Sequence, residues 1–387
     1  MSTSASPSFS EIKDREAHVR KDLLRIFERS KRRDQLVERH LDQTIGQGWV
    51  PLKVRFDERV IAYHMPAIGD TKAVISLNLG CEGSALTAAP SINQARKNGI
   101  AFMAFSMVTR DAAGGDTRQQ IQASVAANAW NNGSELSPLH QLYDTDTLPT
   151  FLVPQSAASA MTLDNMTHKG FANRMNEKFD GIHFVVPFFD AATAGTVYPV
   201  EANSIGDRIK AELIRHSRSA LWAAHANVFG KGQLGYGIDR YVVPGKTPSS
   251  RMPTRKEARS LQLYARDVMR KMEDLPADHP LYRMPMTSWM SDIDEASCPH
   301  STRYVAELVG ANVRTDTLRH MNLKKRMSWI ISDIQSDLDM GETDKNLPPL
   351  TINRRPEPTA EDIIRQTGGH DPDVYESPIR PNVALIM

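Results

Sequence analysis

Cys298-Pro299-His300 is where residue types and spacing come nearest to a covalent chemistry. A thiol at a helix start is acidified by the helix dipole, and His300 or His320 could serve as its base. Asp292, Asp294 and Glu295 stand just upstream and oppose that acidification. Cysteine is also among the most buried residue types, so a structural thiol is the stronger reading of Cys298. Metal binding has less support. Cys81 and Cys298 are far apart, and the 12 histidines include no H-x-x-x-H pair of the kind a zinc site uses. The sequence implies no metal and no cofactor. Asp180 and Asp190 flank a strand-like run. Strand-end acids can be catalytic, but most are solvated turn residues.

Two phosphate-loop patterns fail on context. Gly230-Lys231-Gly232-Gln233-Leu234-Gly235 satisfies G-x-G-x-x-G. A dinucleotide site needs those glycines after a strand and before a helix, where the helix N-terminus meets the pyrophosphate. Here a helical pattern enters the loop and a strand pattern leaves it. No kinase VAIK, HRD or DFG element follows. Gly245-Lys246-Thr247 ends like a P-loop, but its earlier glycine is replaced by Arg240, and the amide cradle needs that turn.

Charge is more informative than these motifs. The net charge is +1, so any field must be local. Between Lys231 and Arg259, Lys231, Arg240, Lys246, Arg251, Arg255, Lys256 and Arg259 face only Asp239 and Glu257, with Tyr236 and Tyr241 interleaved. Such a mixture can hold a phosphate backbone and stack a base. From Asp333 to Glu376 the sign reverses, and acids far outnumber Lys345, Arg354, Arg355 and Arg365. A solvated surface explains either run. The sharper reading docks the acidic stretch on a basic face. At the end of this Pro-rich arm stand Val383, Leu385, Ile386 and Met387, which would insert in a groove or add to a sheet edge.

The elements that would position these groups are mixed α/β. Residues 1–48 read as a Ser-rich start and a helical arm. Residues 49–133 read as a mixed β/α domain with strands in PLKVRFDERVIAYHM, KAVISLNLG and IAFMAFSMV, and a helix through Ile121, Val125 and Ala129. Residues 134–253 read as an α+β domain with a loop-like stretch from Ser134 to Pro154, short helices around Ala157–Met166 and Phe171–Phe179, and a strand in GIHFVVPFF. Pro187 within that run argues for an edge strand or a bulge. TVYPV is its candidate hairpin partner, and a long helix with a Gly-rich loop follows from Asn203. Residues 254–346 read as helical: one helix with Leu261, Ala265, Val268 and Met272 on one face, a Pro- and Met-rich connector from Pro276 to Met290, and helices near Pro299–Val309 and Thr315–Met340. Residues 347–387 read as an extended acidic tail with an apolar end.

VYPVEANSIGDRIKAEL followed by GKGQLGYGIDRYVV faintly resembles the RAMP-type RNA-binding subunits of CRISPR effector complexes. That resemblance implies RNA binding, but it covers only Val197–Val243, and the N-terminal part of the chain does not share it.

The apolar fraction of 40% and charged fraction of 24% are those of a globular chain. Two cysteines fit a reducing compartment. The N-terminus lacks a signal-peptide pattern, and the apolar runs fall short of the ~20 residues a bilayer span needs. A cytoplasmic location without membrane contact is expected. The resulting expectation leans against catalysis. It is a structural or assembly subunit of a larger complex, of viral, effector or secretion type, with itself or other protein subunits as partners. The alternatives are a nucleic-acid-binding subunit using the basic segment and an enzyme with a cysteine nucleophile.

Overall fold

Strands in which every residue is buried make the centre of the structure. The computed structural model describes residues 48–53, 61–80, 89–107, 117–189, 255–292, 297, 299–318, 323–340 and 346–353. In chain order its elements are β1 (Val50–Lys53), β2 (Ile61–Met65), β3 (Ala73–Asn78), α1 (Ala89–Lys97), β4 (Ile100–Phe105), α2 (Thr117–Gly133), α3 (Pro138–Leu142), β5 (Thr150–Pro154), α4 (Ala157–Met166), α5 (Lys169–Lys178) and β6 (Gly181–Val185). After these come α6 (Arg255–Glu273), a 3-10 turn at Pro280–Arg283, β7 (Met286–Ser291), α7 (Pro299–Leu308), β8 (Asn312–Asp316), α8 (Leu323–Asp337) and β9 (Leu350–Thr351). The mixed α/β class expected from the sequence is what the chain adopts.

All nine strands join one sheet in the order β1-β2-β4-β3-β5-β6-β7-β8-β9. From β4 to β8 every pairing is parallel, while β1, β2 and β9 pair antiparallel at the two edges. A parallel sheet is covered on both faces, so its strands read as near-continuous apolar runs. AVISLN in β3 and IAFMAF in β4 are wholly buried. Alternate residues split between two cores. Ile75, Leu77, Phe102 and Val153 pack with Ile92 of α1 and Met327, Ile330 and Ile334 of α8. Val74, Met103, Leu152 and Phe184 pack with Ala127 of α2, Leu163 of α4, Met175 of α5, Val268 of α6 and Val305 of α7.

Several sequence expectations are corrected. The stretch Ser134–Pro154 holds α3 and β5, and β5 lies in the middle of the sheet. Its short run TFLVP follows a polar stretch, which hid it. β6 is central, between β5 and β7, and ends at Val185. Pro187 therefore lies beyond the ladder and costs it no hydrogen bond. The Pro- and Met-rich connector contains β7, and the first residues given to the last helix form β8. At the start of the tail, Leu350–Thr351 pairs with β8 and Asn353 Nδ2 donates to the Ala311 carbonyl at 3.0 Å. The N-terminal arm, TVYPV, the long helix from Asn203 and the end of the tail lie outside the described residues.

Under the α8 face, His183 is wholly buried on β6 and receives a 3.3 Å hydrogen bond from Trp289 Nε1 at Nδ1. Burial, and secondarily the charge of Arg314, pushes its pKa down from 6.5 to about 4. The folded protein thus keeps a neutral imidazole where the unfolded chain would take up a proton. Stability is full above pH 6.5 and is lost as pH falls from 6.5 towards 4, by roughly 3 kcal/mol in all. Chemical denaturation across pH 4–7 should show this loss, and His183→Phe should flatten it. An unchanged slope in the variant would assign the pH dependence to other groups.

Candidate active site

The connectivity picks out one point on the sheet. β3 and β5 are neighbours, but the chain leaves β3 towards β4 on one side and leaves β5 towards β6 on the other. Ligands in open α/β sheets bind outside the carboxyl ends of the strands at such a switch point. The residues there are Leu79 and Gly80 after β3, and Gln155 and Ser156 after β5.

Ser156 is held at φ 50, ψ −120 between the end of β5 and the start of α4. A side chain at positive φ costs of order 1–3 kcal/mol, and such residues cluster at functional sites. A serine on a sharp, strained strand-to-helix turn is the arrangement that exposes a nucleophilic hydroxyl above a sheet. The neighbours fit that turn. Gln155 and Ala157–Ala160 are buried, while Ser156 is half-buried. The residues after it are small (Ala157, Ala158, Ser159, Ala160), so α4 can pass close beneath the strands. Ser156 is the residue before the helix, yet its side chain makes no capping hydrogen bond to α4. The hydroxyl is therefore not consumed by the helix it precedes. The first turn of α4 carries the positive end of the helix dipole, and its Ala158 and Ser159 amides donate to the Gln155 and Ser156 carbonyls at 3.0 Å.

Gly80 fills the other side of the switch point. A Cβ there would sit 2.6 Å from the Gln155 carbonyl oxygen and 2.9 Å from Ser156 Cβ. Only glycine lets the main chain leaving β3 pass this close to the serine. The turn is pinned from three sides. Gln155 N–H donates to the Asn78 carbonyl at 2.9 Å, and Ser156 N–H donates to the Val185 carbonyl at 2.9 Å. The Ser156 carbonyl accepts from Phe188 N–H at 3.2 Å and from Ser159 N–H at 3.0 Å.

A buried amide network fixes α4 behind the turn. Asn78 Nδ2 donates to Asn132 Oδ1 at 3.1 Å, Asn128 Nδ2 donates to Thr162 Oγ1 at 3.3 Å, and Asn165 Nδ2 donates to Asn128 Oδ1 at 3.0 Å. Ser159 Oγ donates to the Pro154 carbonyl at 3.1 Å. On the far side of α4, Asp164 receives Lys271 Nζ at 2.8 Å and Tyr264 OH at 3.0 Å, which ties α4 to α6.

The next strand ends carry ionisable residues. β7 is followed by Asp292, exposed and 3.6 Å from Arg303, and then by Asp294 and Glu295, which lie outside the described residues. β8 ends at Asp316, which binds the wholly buried Arg326 through both oxygens at 2.7 Å. Arg326 also donates to the Leu318 carbonyl at 2.7 Å, and Leu318 N–H donates to Asp316 Oδ1 at 2.8 Å. Between Leu318 and α8 the sequence carries His320, outside the described residues. Among the described residues no cluster of three His, Cys, Asp or Glu side chains could hold a metal ion, and no helix is long and apolar enough to cross a membrane.

No family model matches the sequence, and no curated protein does. Solved structures do resemble the chain. One is the thioesterase domain from the curacin biosynthetic pathway, at 10% identity over 72% of this chain and 95% of that one, with a TM-score of 0.42. A carboxyl esterase from Bacillus coagulans shares 12% identity over 74% and 97%, with a TM-score of 0.41. A peroxisomal α/β-hydrolase of Saccharomyces cerevisiae shares 11% identity over 80% and 88%, with a TM-score of 0.43. The expectation of a non-catalytic structural, assembly or virion subunit is corrected here. The similar structures are hydrolytic enzymes.

Most of the residues singled out from the sequence lie outside the described part of the structure. Lys231, Tyr236, Arg240, Tyr241, Lys246 and Arg251 lie outside the described residues, as do Cys81, Cys298, Val383, Leu385, Ile386 and Met387. Arg255 and Lys256 open α6. Ser156 was missed because Pro154-Gln155-Ser156-Ala157-Ala158 lacks the glycines of G-x-S-x-G. The usable signal was a short apolar run, one serine, and then small residues opening a helical pattern.

If Ser156 stores backbone strain for function, glycine should release it. Ser156→Gly should raise stability by about 1 kcal/mol, whereas Ser156→Ala, which keeps a Cβ at positive φ, should not. Paired thermal and urea melts check this. Equal stabilities for the two variants would mean that the turn is unstrained.

Proposed function

We propose that this protein is a serine hydrolase that transfers an acyl group from an ester or thioester to water through Ser156. The observation that carries the reading is the side-chain-bearing turn at φ 50, ψ −120 on the central strand's carboxyl end, with Gly80 pressed against it. In this reading Ser156 Oγ attacks the acyl carbon and gives its proton to a base. The C–O or C–S bond to the leaving group then breaks, and the base returns the proton to that group. Water, deprotonated by the same base, attacks the acyl-serine and releases the acid. The amide of Ala157, the residue after the serine, and the main chain at Gly80 are the donors suited to the developing oxyanion. The base is assigned to His320 and its orienting acid to Asp294 or Asp292. What supports these assignments is their place in the sequence directly after β8 and β7, the order nucleophile, acid, histidine that such sheets use.

The test is covalent labelling. A fluorophosphonate probe should phosphonylate the wild-type protein at one serine, located by peptide mass spectrometry at Ser156. Ser156→Ala should abolish both labelling and turnover of p-nitrophenyl esters and acyl thioesters. His320→Ala should lower kcat by roughly 100-fold or more. An unlabelled wild-type protein without turnover, or labelling that survives Ser156→Ala, would remove the proposal.

A further inference from the structure

Three residues other than glycine have positive φ among the described residues, and two of them meet at the same point. Ser156 is one. The other is Val186, at φ 42 and 1% exposed, immediately after β6. A β-branched residue at positive φ is a true outlier, held only where the surroundings over-determine it. The bonds around it explain what the turn accomplishes. The residue before it, Val185, accepts Ser156 N–H, and Val186 N–H donates to the Trp289 carbonyl at 2.8 Å. The chain then bends so that Phe188 N–H reaches back to the Ser156 carbonyl. Both main-chain polar groups of Ser156 are thus held by the segment Val185–Phe188. The Pro187 carbonyl within that segment accepts Thr302 Oγ1 of α7 at 3.2 Å, and Thr302 is 3% exposed.

We infer that Thr302 is a positioning residue for Ser156, acting through the strained Val186–Phe188 turn. The inference rests on the hydrolase reading of Ser156. The turn needs an external hold because Val186 would relax to negative φ if released. Its residues lie past the β6 ladder, where Val186 N–H donates to the Trp289 carbonyl. The Thr302 hydroxyl supplies a second attachment on the opposite face, one residue before the amide that grips the serine. Loss of that attachment leaves the fold's ladders intact but lets the Ser156 carbonyl, and with it the Oγ direction, drift. Misplacement of a reacting group by about 1 Å costs up to 100-fold in rate.

The experiment compares Thr302→Val, Thr302→Ser and wild type for fluorophosphonate labelling, separating probe affinity from the rate of the bonding step, alongside melting temperature. Thr302→Val removes the hydroxyl at nearly constant shape. It should slow the bonding step about tenfold, leave probe affinity unchanged and keep the melting temperature within a few degrees. Thr302→Ser should restore the rate. Val186→Gly, which adopts positive φ without strain, should make the turn independent of that hold, so the double variant Val186→Gly/Thr302→Val should react as fast as Val186→Gly and serves if Thr302→Val alone does not fold. Wild-type rates in Thr302→Val, or a double variant about tenfold slower than Val186→Gly where the first variant does not fold, would overturn the inference while leaving Ser156 as the nucleophile. Equal slowing in Thr302→Val and Thr302→Ser would also overturn it, since packing rather than the hydroxyl would then be responsible. A wild-type protein that does not label would remove the hydrolase reading and this inference together.

Discussion

A serine held at a backbone angle that glycine alone adopts freely must be forced there by its neighbours. Ser156 at φ 50 is that constraint in this protein. The ordering of the central strands, the glycine at position 80 and the amide network behind α4 all make sense as means of holding it. Its N–H is committed to the end of β6 and its carbonyl to the turn after β6, and that carbonyl also starts α4. Its side chain makes no capping hydrogen bond to α4.

The surrounding polar groups are placed accordingly. Buried amides and charges add little net stability, but removing one partner is expensive. Asn78, Asn132, Asn128, Thr162 and Asn165 link β3, α2 and α4 through paired contacts, so the three elements bounding the serine cannot shift independently. The Arg326–Asp316 pair does the same at the end of β8. Stranding either charge would cost about 3–5 kcal/mol, so the end of β8 and the beginning of α8 are locked together on either side of the segment that carries His320.

Much of the scaffold was legible in the sequence. AVISLN and IAFMAF announce buried strands through unbroken apolar runs, and α6 announces itself through Leu261, Ala265, Val268 and Met272 at helical spacing. β5 was not legible, because five residues ending in proline after a polar stretch carry too little periodicity to separate a strand from a loop. β7 was obscured by flanking prolines and methionines. The site was lost with β5. Its candidate nucleophile is recognisable only when a strand is known to precede it and a helix to follow. Pro154 and Ala158 stand where the G-x-S-x-G pattern has glycines, so that local signature is absent. Backbone strain at Val186 has no signature in sequence at all, since valine there reads as ordinary strand.

The hold on Ser156 also orders events in time. The groups that grip it come from Asn78 and Gly80 on one side and from Val185 and Phe188 on the other, with the nucleophile's own strand between. Contacts of such sequence separation form late, after loop-closure entropy has been overcome. A nascent chain that has emerged only as far as α4 therefore carries an ordinary, relaxed serine with an ordinary hydroxyl. Reactive geometry arrives only when β6 docks and its following turn closes over the elbow.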